Sequence, residues 1–216
     1  MNNFLEAFAQ YPNFEKIRQT ILSNGVEQPF FDKDAVWGGY CLEQNSYDFA
    51  ALICFLKDRF PNGMRQYAEI GSAGGGFFRS IYELVGFEMG ISVDNGKWRA
   101  EEWPKNSKGI PYVRCEGDSH SKECEEWLKA NLHDIDLFFI DGDHSYEGVC
   151  LDIKLASRIL PKGTLVGFHD LYCARVPGVA KAYQEMITEK GVFKELFQIC
   201  NFNHENPMGI AICEVV

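Results

Sequence analysis

The sequence predicts an α/β fold in which a mostly parallel, seven-stranded sheet is wound on both faces with helices. Short apolar runs alternate with helical patterns, several of these runs end in acidic side chains, and the last two are joined by a loop without a helix. The chain has 216 residues, 46% of them hydrophobic, which is enough for one compact core. We expect residues 1–60 to form a helical cover and residues 61–216 the α/β part of the same domain.

The predicted elements follow from periodicity and turn residues. Apolar residues at helical spacing predict helices over residues 14–22, 47–60, 77–85, 124–132, 145–160 and 179–190. Short apolar runs predict strands over residues 67–70, 89–94, 111–116, 136–141, 164–168, 192–200 and 208–215. Residues 201–207 separate the last two runs, a connection short enough for an antiparallel hairpin. The first five strands are therefore expected to be parallel, and the last two to close the sheet.

The stretch from residue 136 to residue 170 carries the densest chemical signal. An apolar run stops at Asp141, Ser145 caps a helix, and a second apolar run stops at His169 and Asp170. Such a β-α-β unit has parallel strands that end at the same edge of the sheet, where open α/β sheets bind their ligands. Asp141, His144, His169 and Asp170 are therefore candidates for a single site.

A glycine-rich turn follows the first predicted strand. Residues 71–76 read Gly-Ser-Ala-Gly-Gly-Gly, which allows a tight turn and the close approach of a ligand to the following helix. The turn departs from the dinucleotide-binding pattern because position 73 is alanine rather than glycine. The next two strands end at Asp94, which could accept ribose hydroxyl protons, and before Asp118 and Ser119, which could meet an adenine.

Composition excludes several classes of function. The formal net charge of −10 argues against nucleic acid as the main partner, because no stripe of Lys or Arg offsets it. No apolar run approaches the length of a membrane span, and the first residues lack a basic segment followed by an apolar one, so we expect a cytoplasmic protein. The eight cysteines contain no C-x-x-C pair, which favours reduced thiols over a disulfide framework or a zinc site.

Taken together, these motifs resemble those of class I S-adenosylmethionine-dependent methyltransferases, and among them the small metal-dependent O-methyltransferases that include sugar and macrolide-sugar enzymes. The similarity runs from about residue 67 to residue 170. It rests on five motifs: Glu-Ile-Gly-x-x-Gly-Gly from Glu69, Val-Asp ending at Asp94, Gly-Asp-Ser at 117–119, Asp-Gly-Asp-His-Ser-Tyr-Glu from Asp141, and Pro-x-Gly-(x)5-His-Asp ending at Asp170. The implied fold is Rossmann-like. One departure is Phe77 and Phe78, where the family has a small hydroxyl residue after the glycines.

The resemblance implies roles for these residues. The cofactor, S-adenosylmethionine, would be bound by the glycine turn, the strand-end acids and their neighbours, namely Glu69, Gly71, Ser72, Gly74, Gly75, Asp94, Asp118, Ser119 and Asp141. A divalent metal, Mg²⁺ or Mn²⁺, would be bound by Asp141, His169 and Asp170. His144 would act as the general base that removes the proton of a small-molecule hydroxyl, on a sugar, another vicinal diol or a phenol. The chain could also form a homodimer.

Several alternatives remain open at the level of sequence. Asp143 could cap the following helix rather than bind metal, and His169 could orient Asp170 rather than bind metal directly. Glu69 could hydrogen-bond nearby backbone, and Gln44, at a helix start, could reach the cofactor. Asp141-Gly-Asp143 is also formally a D-x-D motif, so a Mn²⁺-dependent nucleotide-sugar glycosyltransferase is one rival function. A non-catalytic, methyltransferase-like binding protein is the other.

Overall fold

The computed structural model describes residues 5–25 and 39–216, and within these ranges the chain forms one seven-stranded sheet. The strands lie in the order β3-β2-β1-β4-β5-β7-β6. The first five are parallel to one another, β7 pairs antiparallel with β5, and β6 pairs antiparallel with β7. Their bounds are Met64–Ile70 (β1), Phe87–Asp94 (β2), Tyr112–Glu116 (β3), Ile135–Ile140 (β4), Leu165–Phe168 (β5), Lys194–Ile199 (β6) and Ile210–Glu214 (β7). The predicted fold class, including the C-terminal hairpin, is confirmed.

The helices alternate with the strands. They are Leu5–Phe8 (α1), Phe14–Asn24 (α2), Ser46–Arg59 (α3), Gly76–Leu84 (α4), Trp103–Asn106 (α5), Lys122–Asn131 (α6), Tyr146–Ile159 (α7) and Pro177–Tyr183 (α8). A short 3₁₀ turn, Ala100–Glu102, precedes α5. The single helix expected over residues 179–190 is instead α8 followed by a π-helical segment, Gln184–Glu189. Within the described residues, no helix is long and apolar enough to cross a lipid bilayer.

Two hydrophobic cores lie on opposite faces of the sheet. Strand residues alternate between them, because successive side chains of a strand point to opposite faces. Tyr67 and Phe139 pack with α3 and α4 on one face, whereas Ala68 and Phe138 pack with α6, α7 and α8 on the other. On α7 the predicted inward face is buried, comprising Val149, Ile153, Ala156 and, just beyond the helix, Leu160. The fold is therefore doubly wound.

The predicted N-terminal cover corresponds to α1, α2 and α3, together with a part of the chain, residues 1–4 and 26–38, that lies outside the described residues. Phe14, Ile17 and Ile21 of α2 are buried, and α3 contributes Phe49, Leu52 and Ile53 to the same core. Asp48 of α3 accepts hydrogen bonds from the backbone N–H groups of Asn201 at 2.6 Å and Gly209 at 3.3 Å. The cover is thus tied to the loop of the C-terminal hairpin.

Candidate functional site

A cavity of about 810 Å³ opens at the carboxyl edge of the parallel strands. The chain reverses its direction of winding between the neighbouring strands β1 and β4, which is where open α/β sheets form a ligand-binding crevice. The cavity is lined by segments that follow all five parallel strands and by residues 41, 43 and 44 from the N-terminal part of the chain. Every site residue predicted from sequence lines this cavity except Gly75.

The turn after β1 requires glycine at its first position. Gly71 has φ of +82°, and a Cβ atom there would lie 2.0 Å from the carbonyl oxygen of Asp141. The two segments meet because Asp141 donates its backbone N–H to the carbonyl of Ile70 at 2.9 Å. Any side chain at residue 71 would push apart the loops that follow β1 and β4. Glycine at this position therefore allows these two loops of the site to lie in contact.

The start of α4 packs against the N-terminal part of the chain. A Cβ atom on Gly76 would lie 2.3 Å from the carbonyl oxygen of Tyr40. The next residue, Phe77, is 7% exposed and packs between Phe49 and Phe139, with ring centroids 4.8 and 4.6 Å away. The departure from the family pattern at residue 77 is therefore a core side chain, and the cavity remains open beside it.

Strand-end acids hold the loops of the cavity by accepting hydrogen bonds. Asp94 accepts from the backbone N–H groups of Ala73 at 2.8 Å and Gly96 at 2.7 Å, so one carboxylate joins the glycine turn to the loop after β2. Oε2 of Glu69 accepts a hydrogen bond of 2.6 Å from the hydroxyl group of Tyr67 rather than one from nearby backbone. Burial raises the pKa of Glu69 well above its usual range, although the bond from Tyr67 acts in the opposite direction.

Other predicted cofactor contacts lie around these loops. Ser72 shares a hydrogen bond of 2.6 Å with Ser92 on β2. In the loop after β3, Asp118 accepts the backbone N–H of His120 at 2.9 Å, and Ser119 donates to Asp152 of α7 at 2.8 Å. These contacts fix the walls of the cavity beneath the glycine turn.

An acidic and imidazole cluster follows β4 and β5. Nε2 of His144 lies 3.1 Å from Oδ1 of Asp141 and 3.6 Å from Oδ2 of Asp170. One potential ligand atom from each of these three residues lies within 4.8 Å of the others, which suits a metal ion. Asp170 has φ of +61°, and no group in the described part of the chain donates a hydrogen bond to its buried Oδ1. The hydrogen bond with Asp141 raises the pKa of His144, although burial opposes this effect.

His169 lies behind the cluster. Its side chain is 4% exposed, and its Nδ1 lies 3.3 Å from Oδ2 of Asp141 and 3.5 Å from Oδ1 of Asp170. Burial alone would lower the pKa of His169, but the fields of the two carboxylates outweigh it and raise the pKa to about 10. The group of three potential ligands thus contains His144 where the sequence predicts His169, and His169 bridges the same two acids from the protein side.

Asp143 does not cap α7. Its Oδ1 accepts the backbone N–H of Ser145 at 2.8 Å, and Ser145 in turn caps the helix by accepting the N–H of Gly148 at 3.0 Å. Asp143 therefore stabilises the turn that carries His144 to the mouth of the cavity. The prediction that Ser145 is the cap is confirmed.

Several lining residues carry no motif that would identify them from sequence. Gln44 and Glu43 come from the segment before α3, Trp98 and Arg99 from the loop after β2, and Arg175 from the segment before α8. Glu43 accepts the indole N–H of Trp98 at 2.8 Å and lies 3.5 Å from Nε of Arg99. Gln44, at a helix start, and Trp98, an aromatic residue that could line a substrate pocket, are the two for which the sequence offers a signal.

Comparison with known proteins agrees with this geometry. Residues 68–171 match the model of a protein family described as a methyltransferase domain. This region is similar to a methyltransferase domain. It spans the glycine turn and the acidic and imidazole cluster. No protein with a curated function matches the sequence.

Solved structures show the same fold at low sequence identity. An O-methyltransferase from Bacillus cereus in complex with S-adenosyl-L-homocysteine (SAH) is 14% identical, with a TM-score of 0.60, over 98% of this chain and 100% of that chain. Cofactor-bound Rv0187 from MTB is 18% identical, with a TM-score of 0.58, over 76% of this chain and 78% of that chain. The N-methyltransferase NodS from Bradyrhizobium japonicum WM9, with SAH, is 11% identical, with a TM-score of 0.56, over 94% and 99%. The fold is therefore the Rossmann-like methyltransferase fold.

Proposed function

We propose that this protein is an S-adenosylmethionine-dependent, divalent-metal-assisted O-methyltransferase that acts on a hydroxyl group of a small molecule, such as a sugar, another vicinal diol or a phenol. The observation that carries the proposal is the juxtaposition of two features in one cavity. The cluster of Asp141, His144 and Asp170 opens onto the same space as the glycine turn of residues 71–76. A methyl donor and a metal-held acceptor could therefore meet there.

The cavity fits the cofactor in size and chemistry. Its volume lies within the range of about 300–1,000 Å³ that is usual for small-molecule sites. The glycine turn offers backbone N–H groups, and four of its six residues are glycines, which lets a ligand approach the backbone closely. Asp94 keeps a carboxylate at the end of β2, where it could also accept ribose hydroxyl protons. S-adenosylmethionine would supply an electrophilic methyl group on a sulfonium sulfur.

The acidic cluster fits a hard divalent cation. Two carboxylates and an imidazole are ligands that suit Mg²⁺ or Mn²⁺. Oδ1 of Asp170 lies 3.5 Å from Nδ1 of His169, whereas its Oδ2 faces Nε2 of His144 at 3.6 Å and is the oxygen that would bind the cation. A bound cation would chelate neighbouring oxygens of the acceptor and lower the pKa of its hydroxyl. Asp141 and Asp170 would hold that cation, and either His169 or His144 would complete the protein ligands.

His144 is placed to handle the proton. It is the more exposed of the two imidazoles, at 36% of its side-chain surface, whereas His169 is 4% exposed. S-adenosylmethionine would supply the methyl group for the new oxygen–carbon bond as its sulfur–carbon bond broke, and His144 would take the hydroxyl proton. The products would be a methyl ether and SAH. Asp141 holds the imidazole by its hydrogen bond of 3.1 Å, so the base is already oriented.

Charge supports a small acceptor rather than a polyanion. The net charge of −10 would repel a nucleic acid, and the acids that line the cavity would add to that repulsion. We therefore propose a small-molecule acceptor. A cytoplasmic location and a homodimer are proposals from the sequence alone.

Calorimetric titration of SAH into metal-stripped protein tests the proposal. Saturable micromolar binding would support the cofactor site and justify an acceptor screen with added Mg²⁺ or Mn²⁺. The same protein should be titrated with UDP-glucose and Mn²⁺. Binding of the nucleotide sugar without binding of SAH would favour the glycosyltransferase instead. Binding of SAH with no methyl transfer to any hydroxyl compound, with or without metal, would favour a non-catalytic binding protein.

A further inference from the structure

Gln44 is a buried polar residue that the proposed chemistry leaves without a role. It lies two residues before the start of α3, is 2% exposed, and lines the cavity. Its Oε1 atom is buried and accepts no hydrogen bond from any residue in the described part of the chain. Buried polar atoms are almost always paired, and an exception at the wall of a cavity indicates a missing ligand group.

The segment that carries Gln44 is fixed in place on both sides. Asn106 donates its side-chain amide to the carbonyls of Tyr40 at 3.1 Å and Gly74 at 2.8 Å, which joins this segment to the glycine turn. On the other side, Asn45 caps α3 by accepting the backbone N–H groups of Tyr47 and Asp48. Gln44 is thus held between the glycine turn and a helix start, and its free oxygen is not a product of a loose loop.

The glycine turn suits the α-carboxylate group of an amino acid, and the side-chain amide oxygen of Gln44 suits its α-ammonium group. Backbone N–H groups at the start of α4 can donate to a carboxylate, but an ammonium group needs acceptors. Glu69, the nearby acid on β1, accepts a hydrogen bond from the hydroxyl of Tyr67 through its Oε2. Phe77 offers no polar atom, and its ring is packed between Phe49 and Phe139. Gln44 supplies a buried acceptor oxygen that has no partner among the described residues.

We propose that Oε1 of Gln44 accepts a hydrogen bond from the α-ammonium group of the cofactor's amino-acid end. This inference rests on the proposed function, because it assumes that S-adenosylmethionine occupies the cavity. It makes Gln44 a determinant of cofactor recognition contributed by the N-terminal cover, outside the region from residue 68 to residue 171. The cover then has a part in binding as well as in packing.

The test compares two ligands that differ at the amino-acid end. SAH carries the α-ammonium and α-carboxylate groups, whereas 5′-methylthioadenosine keeps the adenosine and thioether but lacks both. We expect Gln44→Met to weaken SAH binding by about tenfold or more, measured by calorimetry, and to leave the affinity for 5′-methylthioadenosine unchanged. Gln44→Glu keeps an acceptor oxygen and should retain SAH binding.

Gln66 provides a matched control for loss of a buried glutamine. It is 6% exposed at the opposite end of β1, where its side chain bonds to the backbone of Asn131 and His133. Gln66→Met should leave the affinities for both ligands unchanged. If Gln44→Met does not fold, a SAH analogue without the amino group, titrated into the wild-type protein, should show the same loss of about tenfold.

The outcomes separate this inference from the proposed function. Equal weakening of both ligands by Gln44→Met, unchanged SAH binding, or a loss in Gln44→Glu as large as in Gln44→Met would overturn the role of Gln44 alone. An unweakened desamino analogue would do the same. Wild-type protein that binds neither ligand would overturn the proposed function and this inference together.

Discussion

The imidazole Nε2 of His144 lies 3.1 Å from Oδ1 of Asp141, three residues earlier in the loop between β4 and α7. The pair is held by a turn in which Asp143 bonds to Ser145, so the spacing is set by the backbone. The imidazole therefore has two uses. With its Nε2–H donated to Asp141 it can accept a proton from a substrate at Nδ1, or its Nε2 can join Asp141 and Asp170 as a metal ligand. The two uses predict different effects when His144 is removed.

Replacement of His144 by alanine should reduce turnover without loss of cofactor binding. Loss of a general base typically costs about 10²–10⁴-fold in rate. The affinity for SAH should stay the same, because the glycine turn and Asp94 are untouched. Turnover and SAH affinity should be measured with the exposed His133→Ala as the control, which should match the wild type. Full turnover in His144→Ala would exclude the base role, and loss of metal affinity would indicate a ligand instead.

Removal of one acid from the cluster should abolish tight metal binding. Asp170→Asn keeps the shape of the side chain, and asparagine tolerates the left-handed conformation at this position, where φ is +61°. We expect its affinity for Mn²⁺ to fall by at least about 10–100-fold in a calorimetric titration of EDTA-treated protein. Turnover in the presence of EDTA should also be lost in the wild type.

Asp143→Asn is the matched control for that experiment. It removes the same charge two residues from Asp141, but an asparagine oxygen can still accept the backbone N–H of Ser145. Its Mn²⁺ affinity should stay close to that of the wild type. An equal loss in both variants would mean that the general negative field, rather than coordination by Asp170, attracts the cation.

The fold could be predicted from sequence because its strands are short and apolar and end at clear polar or turn residues. Residues 136–141, for example, stop abruptly in polar side chains, and Ser145 marks the helix that follows. The parallel arrangement then follows from the β-α-β connection. The predicted ends of the helices and strands differ from the observed ends by a few residues. The π-helical segment Gln184–Glu189 was not predicted, because its apolar spacing is compatible with a continuous α-helix.

The sequence predicts which site residues lie close together only for those that directly follow a strand. Asp141 and Asp170 meet because β4 and β5 are neighbours in the sheet. The different positions of His144 and His169 depend on loop conformation, and strand order does not determine them. Gln44 enters the cavity through tertiary packing of the N-terminal part of the chain on Gly76, a contact that has no short-range pattern.

Substitution of Gly71 by alanine should disrupt both stability and cofactor binding. Alanine there would combine a strained φ of +82° with a Cβ atom 2.0 Å from the carbonyl oxygen of Asp141. Gly163→Ala is the control, because Gly163 has φ of +86° but an added Cβ there would meet no atom of the described residues within 4 Å. Gly163→Ala should lose about 1–2 kcal/mol of unfolding free energy, the cost of a left-handed alanine. Gly71→Ala should lose several times as much unfolding free energy, measured by urea denaturation. It should also lose SAH binding. Equal losses would show that the loops of β1 and β4 separate freely.

The contact between His120 and Asp152 predicts a dependence of stability on pH. Nε2 of His120 lies 3.2 Å from Oδ1 of the fully buried Asp152, and this contact with the carboxylate raises the pKa of His120 above its ordinary value, although burial opposes the shift. Asp118 and Asp143 add to the rise. Because the pKa is higher in the folded state, the stabilisation is fully present below the unfolded pKa of about 6.5 and is lost as pH rises through the folded pKa.

Urea denaturation of wild type and His120→Asn at pH 6 and pH 9 tests this dependence. We expect the difference in unfolding free energy between the two proteins to be larger at pH 6 than at pH 9, because only the protonated imidazole forms an ion pair with Asp152. Asp152→Asn should reduce the same pH dependence, since it removes the partner while keeping an acceptor for Ser119. A difference between wild type and His120→Asn that is equal at both pH values would mean that His120 keeps the same pKa in the folded and unfolded states.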